Sequence, residues 1–345
     1  MEPVTFEVSP GITAIDTFYG GRERYTAAYL LAADRPTLVE TGPTTSVEPV
    51  VAGLERLGVG PHDLANIVVT HIHLDHAGGV GRLRERFPAA TVFVHERGAR
   101  HLADPARLVA SATRLYGETQ MAALFGPVDP VPAERLAALA DGDRIELGGR
   151  ALLVDHTPGH ASHQVALTDT ATGAVFTGDA LGVHVPDLPV LRPATPPPDV
   201  DVEAAVESIE RIRTRARSVL LFAHFGPIPE IDRTCDLAVA RIRAWAEAVR
   251  DELRRTDDPD EIADRLREEA RRDIETGAEA SLDLDALENR LRLLSSVRMN
   301  ALGLIRYWQK RGVDGDELVG GRDGSVAADR GGRERDPGPA APQPS

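Results

Sequence analysis

The sequence predicts an α/β fold built from two similar halves, followed by an all-helical region. Up to about residue 230, short runs rich in β-branched residues alternate with amphipathic helical patterns. From residue 231 onward the pattern is helical alone. The last 30 residues hold six glycines, four prolines and no aromatic residue, which marks a third segment.

The first half contains five predicted strands before its long helical stretch. Branched and aromatic residues indicate the strands, and apolar residues at helical spacing indicate the helices. In order, these elements are strands over 11–18, 25–33 and 36–40, a helix over 47–57, a strand over 66–70, a helix over 79–87, a strand over 90–95 and a mostly helical stretch to about residue 140.

The second half repeats this plan with shorter connections. An Asp-Gly-Asp turn at 141–143 precedes it. Asp201 is the predicted N-cap of its helix. The predicted elements are strands over 144–147, 151–155, 164–168 and 174–177, a helix over 200–217 and a strand over 219–223.

Three domains are expected: a catalytic domain over 1–230, a helical domain over 231–315 and a disordered tail over 316–345. Apolar residues at helical spacing, beginning with Ala238, indicate the first helix of the helical domain. The run 258–261, Asp-Pro-Asp-Glu, predicts a capping box at the start of the next helix. The tail lacks the apolar residues that would offset the entropy cost of ordering it.

Composition excludes several classes of protein. The net charge of −15 argues against a protein that grips nucleic-acid backbones. Cys235 is the single cysteine, which excludes an internal disulfide and a zinc site of several thiolates. No run of 18 apolar residues and no leader pattern is present, so we expect a cytoplasmic protein that does not act at membranes. Lys310 is the one lysine among 39 basic residues, which fits a GC-rich genome, a halophilic, salt-rich cytosol, or both.

One ten-residue segment, 70–79, carries the clearest chemical pattern. His71 and His73 alternate just past a predicted strand, so their side chains can point the same way. Asp75 and His76 follow before the chain turns through two glycines. Three imidazoles and one carboxylate form a nitrogen and oxygen ligand set suited to Zn, Fe or Mn. Four such residues at this spacing favour a metal site over a polar turn.

Three more metal-competent side chains follow predicted strands: His160, Asp179 and His224. The rim of a sheet can assemble a site from such distant segments. Between Asp179 and the next helix, the segment 185–199 holds six prolines, which fits either a rigid linker or a stiff wall over the metals. His101 and His184 are further candidates for lining a substrate pocket.

Together these motifs resemble the metallo-β-lactamase fold hydrolases, in the branch similar to glyoxalase II, over about residues 5 to 230. The resemblance implies an αββα sandwich with a C-terminal helical appendage and two divalent metals, with zinc the first expectation. It also implies that Asp75 and Asp179 act in catalysis as well as in metal binding. The implied ligands are His71, His73 and His160 for metal 1, then Asp75, His76 and His224 for metal 2, with Asp179 bridging.

The chain departs from the family at one position. Where the family usually has Asp at the end of the strand before the first glycine turn, this chain has Glu40. We expect Glu40 to orient the histidine loop through one more methylene, without being a ligand.

The resemblance implies hydrolysis of a small thioester or ester by a hydroxide held between the metals and oriented by Asp75 or Asp179. Persulfide dioxygenases share the fold and first motif with a single iron, here on His71, His160 and Asp179, and remain an alternative. A nuclease is disfavoured by the net charge, and a binding module by the complete ligand set. The helical domain can complete the pocket or pair subunits in a homodimer.

Overall fold

Seven strands form the first sheet, in the order in which they occur along the chain. The computed structural model describes residues 2–185, 190–275, 289 and 291–312, and the structural statements below concern these residues. The first four strands pair antiparallel and the last four pair parallel. The strands are β1 (Thr5–Ser9), β2 (Ile12–Asp16), β3 (Ala27–Leu31), β4 (Thr37–Val39), β5 (Asn66–Val68), β6 (Thr91–His95) and β7 (Leu136–Leu139).

Six strands of the second half form the second sheet, in the order β15-β14-β11-β10-β9-β8. Two further strands, β12 (Val183–Val185) and β13 (Val190–Arg192), form a separate antiparallel pair. The sheet strands are β8 (Arg144–Glu146), β9 (Ala151–His156), β10 (Val165–Asp169), β11 (Val175–Gly178), β14 (Leu220–Phe222) and β15 (Pro227–Ile228).

Ten helices with defined bounds accompany the sheets in the described residues, and residues 291–294 are helical as well. Short 3-10 turns at Tyr19–Gly21, Thr44–Ser46 and Ala133–Arg135 and a π-helical turn at Met121–Phe125 lie between them. The helices are α1 (Val47–Arg56), α2 (Leu74–Ala77), α3 (Val80–Arg86), α4 (Glu96–Ala103), α5 (Ala106–Tyr116), α6 (Glu118–Gln120), α7 (Val202–Arg215), α8 (Ile231–Leu253), α9 (Pro259–Glu275) and α10 (Val297–Arg311).

Three apolar clusters stack these elements into four layers. Tyr29 of the first sheet and Phe176 of the second meet edge to face in the cluster between the sheets, with ring centroids 5.4 Å apart. On the outer face of the first sheet, Ile67 packs with Leu54 of α1. On the outer face of the second sheet, Leu220 packs with Ile209 of α7. The expected αββα sandwich is therefore confirmed.

Helices α8, α9 and α10 confirm the expected helical appendage. Trp245 of α8, Leu266 of α9 and Trp308 of α10 share one buried cluster. Cys235 of α8 packs instead with Ile209 in the outer cluster of the second sheet, so the appendage lies directly on the sandwich. The domain boundary at residue 230 stays a prediction, and the predicted tail over 316–345 lies outside the described residues.

The predicted helix caps are confirmed in part. The Asp201 carboxylate accepts a hydrogen bond from the Ala204 amide at 3.0 Å and caps α7 as expected. Before α9, Asp258 accepts from the Asp260 amide at 2.8 Å, while its own amide donates to the Thr256 hydroxyl at 3.1 Å. In a capping box, the Glu261 side chain would accept a hydrogen bond from the Asp258 amide, and here the Thr256 hydroxyl accepts it instead.

Five of the described strands are not predicted by the sequence: β1, β7, β12, β13 and β15. Strand β7 reads Leu-Ala-Ala-Leu, which are strong helix formers, and it lay within a stretch predicted to be mostly helical. Its strand conformation depends on parallel pairing with β6 at the edge of the first sheet. Strand β1 likewise forms by pairing with β2.

In the described part of the chain, no helix is both long and apolar enough to cross a bilayer.

Candidate metal centre

The predicted ligands lie at one edge of the sandwich, where strands from both sheets end. His71 and His73 follow β5, and α2 carries Asp75 and His76. From the second sheet, His160 follows β9, Asp179 directly follows β11, and His224 lies two residues past β14. All seven side chains come together there as three overlapping groups, each with ligand atoms within 4.8 Å of one another.

Three imidazoles form the first group, which we call the first triad: His71, His73 and His160. His71 Nε2 lies 3.1 Å from His73 Nδ1, and His160 Nε2 lies 2.9 Å from the same atom. Four ligands about 2.1 Å from a tetrahedral zinc ion lie about 3.4 Å apart. Both distances to His73 Nδ1 are therefore close to the spacing of ligands around one ion.

Two imidazoles and a carboxylate form the second triad: Asp75, His76 and His224. Asp75 Oδ2 lies 3.7 Å from His76 Nε2 and 3.5 Å from His224 Nε2. These distances again fit ligands of one tetrahedral ion.

Asp179 lies between the two triads. Its Oδ2 atom is 3.7 Å from His160 Nε2 of the first triad and 3.5 Å from His224 Nε2 of the second. Its Oδ1 atom is 3.5 Å from His76 Nε2. One carboxylate thus faces both groups, as a bridging ligand would.

The first triad is built to be neutral. Burial lowers the pKa of His71 and His73 well below the usual range, and neighbouring imidazoles lower it further. Burial also lowers the pKa of His160, which outweighs the opposing charge of Asp179. Histidine must be unprotonated to bind a metal, so these three residues present lone pairs at neutral pH.

The second triad carries charge. Burial alone would lower the pKa of His76, but the negative charges of Asp179, Asp75 and Glu40 outweigh it and raise the pKa well above its usual value. Burial would raise the pKa of Asp179, but His224 and His76 hold it well below the usual range. The acidic groups here require a buried positive charge beside them.

Several polar atoms in the site are buried without a hydrogen-bond partner in the described part of the chain, and a bound metal ion would give some of them a partner. Both ring nitrogens of His76, both of His224 and one oxygen each of Glu40 and Asp179 are buried without a partner among the described residues. Such atoms are rare in native proteins and call for an explanation. A cation bound to Nε2 of His76 and His224 and to Asp179 would satisfy several of them at once.

Backbone and carboxylate groups behind the ligands fix their orientation. His160 Nδ1 lies 2.8 Å from the carbonyl oxygen of Ala194, and we assign the ring proton to that bond, which leaves Nε2 for a metal. Glu40 Oε2 lies 3.5 Å from His76 Nδ1, and Glu40 Oε1 accepts from the hydroxyl of Thr70. The expectation that Glu40 orients the histidine loop agrees with these contacts.

A close approach of the Gly178 backbone to the Thr70 side chain brings Asp179 to the centre. Gly178 has a φ of +50°, and a Cβ built there would lie 2.6 Å from Thr70 Oγ1. Glycine lets β11 end directly against the Thr70 side chain that Glu40 holds. Any larger residue would push Asp179 away from the first triad.

A cavity of about 520 Å³ opens onto the metal centre. His73, Asp75, His160 and Asp179 line its floor. Pro196–Pro198 form part of its wall, which agrees with the stiff-wall interpretation for the described part of that segment. Residues 186–189 of the segment lie outside the described residues.

The remaining histidines divide between the cavity and the framework. His101 and His163 line the cavity, whereas His184 Nδ1 lies 3.3 Å from the carbonyl oxygen of Phe225. Sequence analysis missed Tyr19 and Tyr116, which also line the cavity. Both tyrosines lie in regions without a recognisable motif, so no pattern in the sequence indicated them.

Comparison with known proteins identifies the family. The family model described as the metallo-beta-lactamase superfamily matches residues 21–224. The chain is 27% identical over 164 residues to ST1585, a metallo-beta-lactamase fold-containing protein of Sulfurisphaera tokodaii, covering 46% of this chain and 60% of ST1585. It is 31% identical over 146 residues to a hydroxyacylglutathione hydrolase of Rhodopseudomonas palustris, covering 41% of this chain and 44% of that enzyme.

A hydroxyacylglutathione hydrolase of Aeromonas hydrophila is 35% identical over 134 residues, or 39% of each protein. These matches thus span roughly two fifths to three fifths of the relatives' lengths.

The ST1585 crystal structure has a TM-score of 0.62 at 20% identity, covering 85% of this chain and 98% of ST1585. TTHA1429 of Thermus thermophilus has a TM-score of 0.58 at 22% identity, covering 90% and 93%. Both structures show the shared fold. Because the family model covers more than half of the chain, this protein belongs to the metallo-beta-lactamase superfamily.

Proposed function

We propose that this protein is a binuclear metal-dependent hydrolase that cleaves a small thioester or ester. The observation that carries the proposal is the arrangement of seven side chains as two triads joined by Asp179. A structural ion-pair cluster would pair each charge directly, whereas here buried ring nitrogens face carboxylates without hydrogen bonds.

Two divalent cations fit these residues, with one on the first triad, one on the second and Asp179 shared. The nitrogen and oxygen ligand set suits zinc, and iron or manganese are the other candidates. Bound there, such ions would lower the pKa of water toward neutrality and polarise a carbonyl oxygen.

Asp75 and Asp179 differ in their access to a substrate. The Asp75 side chain is 21% exposed and faces the cavity, whereas the Asp179 side chain is 5% exposed. Asp75 is therefore the carboxylate that accepts a hydrogen bond from the attacking water and orients it. Asp179 holds the two triads at a fixed separation.

A thioester is the favoured substrate because two similar proteins are named hydroxyacylglutathione hydrolases. In the reaction, the water passes a proton to Asp75 as its oxygen bonds to the carbonyl carbon, and the carbon–sulfur bond breaks. The sulfur departs as a thiolate, so no strong general acid is needed. The protein takes a small-molecule substrate, since the cavity has the volume of a small-molecule pocket.

The helical appendage contributes to this pocket. Met299 and Asn300 of α10 line the cavity, and the Asn300 side chain accepts a hydrogen bond from the Thr195 amide at 2.6 Å. These contacts support a role for the appendage in completing the pocket. Pairing of subunits through the same helices remains a separate proposal.

The test is a substrate screen on purified protein loaded with zinc, iron or manganese. We expect thioesters to be hydrolysed faster than lactones or phosphodiesters, with two metals per chain by elemental analysis. His62→Ala is a matched control, because His62 is exposed and lies outside the site. One iron per chain with thiol-dependent oxygen uptake would overturn the proposal in favour of a dioxygenase.

A further inference from the structure

The cavity above the metal centre has two unlike walls. One carries arginine side chains from α4 and α5, and the other carries apolar side chains from α5 and from the turn that ends at Phe125. Neither wall contacts the proposed metals, so neither is explained by metal chemistry.

The basic wall is formed by Arg97, Arg100 and Arg107. Arg97 and Arg100 are one helical turn apart and share a face of α4, while Arg107 lies in the first turn of α5. All three are exposed, and none forms an ion pair with a described residue. By contrast, Arg150 and Arg211 are each bound to aspartate.

Contacts place this basic wall near the first triad. An Arg97 guanidinium nitrogen donates to the carbonyl oxygen of Ser162 at 3.3 Å, two residues past His160. Burial lowers the pKa of His101, and the charges of Arg100 and Arg107 lower it further. Arg100 Nε lies 3.2 Å from His101 Nε2, and Asp104 and Asp199 oppose the effect of the two arginines on the pKa of this imidazole. Among the facing acids are Glu96 and Asp199, and Asp199 accepts a hydrogen bond from Ser162 at 2.6 Å.

The apolar wall is formed by side chains of α5 and by neighbouring aromatic residues. Leu108, Ala112 and Leu115 follow one face of α5 at helical spacing. Leu115 and Tyr116 are 42% and 37% exposed. Among the described residues, they are the large hydrophobic side chains that remain exposed to solvent. The Tyr116 ring contacts Phe125 at a centroid distance of 5.1 Å.

The aromatic side chains share the cavity with Asp75 of the second triad. Tyr19, Tyr116, Phe125 and Asp75 all line it. The Tyr19 ring lies 6.0 Å from that of Phe125. The aromatic groups therefore belong to the same cavity surface as Asp75.

We propose that the substrate is a thioester with an anionic thiol carrier and an apolar acyl group, an inference that rests on the proposed function. The carrier's phosphate or carboxylate groups bind Arg97, Arg100 and Arg107. The acyl group lies along Leu115, Tyr116 and Phe125. The scissile carbonyl then lies between them, over the metal centre.

Charge supports this assignment. The chain carries a net charge of −15, so an anionic ligand needs a local group of cations to bind. Arg97, Arg100 and Arg107 line one cavity without a carboxylate ion pair among the described residues, and Arg292 is a fourth arginine in the same lining. Guanidinium groups match the fork geometry of both phosphate and carboxylate, so either anion fits the wall.

Binding of inert thioethers tests the inference without catalysis. S-octyl and S-methyl derivatives of coenzyme A, glutathione and the neutral thiol N-acetylcysteamine would be titrated by calorimetry. We expect an anionic octyl thioether to bind at least tenfold more tightly than the neutral one, with the difference shrinking in high KCl. Octyl should exceed methyl by more than tenfold, since each buried methylene adds about fourfold. Coenzyme A and glutathione distinguish phosphate from carboxylate recognition.

Variants assign each preference to its wall. Arg100→Gln and Arg107→Gln should each reduce the preference for the charged carrier severalfold, and Leu115→Asn should reduce the preference for octyl over methyl. Arg114→Gln is the matched control, because Arg114 is an exposed arginine of α5 outside the cavity, and it should change neither ratio.

The outcomes separate the two proposals. Equal affinity for charged and neutral octyl thioethers, or for octyl and methyl, would overturn this inference even if thioesters are hydrolysed. Selective binding that depends on Arg100 and Leu115 supports it, and if no thioester is then cleaved, the proposed hydrolysis fails instead.

Discussion

The two triads are alike in size but differ in what holds them together. In the first triad, ring nitrogens of His71 and His160 lie 3.1 and 2.9 Å from His73 Nδ1, and burial keeps the imidazoles neutral. In the second triad, His76 and His224 have no hydrogen bonds to their ring nitrogens among the described residues. The charges of Asp75, Asp179 and Glu40 surround His76 instead.

This difference predicts that the two proposed metal sites gain different amounts of stability from a cation. Neutral, hydrogen-bonded imidazoles can be buried at little cost. Buried carboxylates and unpartnered ring nitrogens are costly without a positive charge beside them. The second triad is therefore expected to gain more stability from its ion than the first.

Asp179→Asn should have the largest effect, because Asp179 is shared by both triads. We expect metal content to fall from two ions to below one per chain. Turnover should fall about a thousandfold or more, since metal stabilisation of the transition state supplies several kcal/mol. Elemental analysis and a thiol-release assay measure both quantities. An Asn variant that keeps two ions would show that the bridge is dispensable.

Chelation should destabilise the protein without unfolding it at room temperature. An ion present at a thousand times its dissociation constant stabilises a fold by about 4 kcal/mol. The sandwich core is large, so the metal-free protein keeps a cooperative melt at a lower temperature. The drop should be larger for the wild type than for His224→Ala, which has no second ion to lose. An equal fall in melting temperature in the two proteins would show that the second ion adds no stability, which would contradict the expected difference between the triads.

Glu40→Gln should weaken the second ion selectively. Glu40 contacts His76 at 3.5 Å and does not belong to the metal groups. Loss of such an orienting carboxylate costs about 10- to 100-fold in metal affinity. Competition with a fluorescent chelator measures this change. Glu48→Gln is the control, because it removes the same charge from an exposed side chain of α1. Equal affinities in the two variants would contradict the role of Glu40.

The smallest effect is expected from salt, which should change the melting temperature but not the metal content. If the acidic, lysine-poor composition reflects a salt-rich cytosol, the melting temperature should rise by several degrees between ~0.1 and ~2 M KCl, because screening relieves surface repulsion. The triads are largely buried, so metal content should stay constant over that range. A flat or falling melting temperature would leave codon bias as the explanation for the composition.

Much of the fold could be predicted from local pattern because most elements have matching propensity and burial. The β-branched residues of β5 predict a strand, and Asp201 predicts the N-terminus of helix α7. Strand β7 was not predicted, because its Leu and Ala residues favour helix and only pairing with β6 makes them a strand. Edge strands of this kind depend on a partner that local sequence does not reveal.

The candidate site was predictable where residues are adjacent in sequence or follow a strand. His71, His73, Asp75 and His76 lie in one motif, and the fold brings His160, Asp179 and His224 to them. The cavity walls could not be predicted, because Arg100 and Leu115 have ordinary helical contexts and only the packing of α4 and α5 places them over the metals.

The central claim is that turnover needs both ions, each on its own triad. The direct test is to measure metal content and thioester turnover of His224→Ala beside His160→Ala. We expect His224→Ala to keep about one ion per chain and His160→Ala to lose the ion of the first triad, with both losing most turnover while keeping a cooperative melt. A His224→Ala protein with one ion and near-normal turnover would contradict the binuclear account.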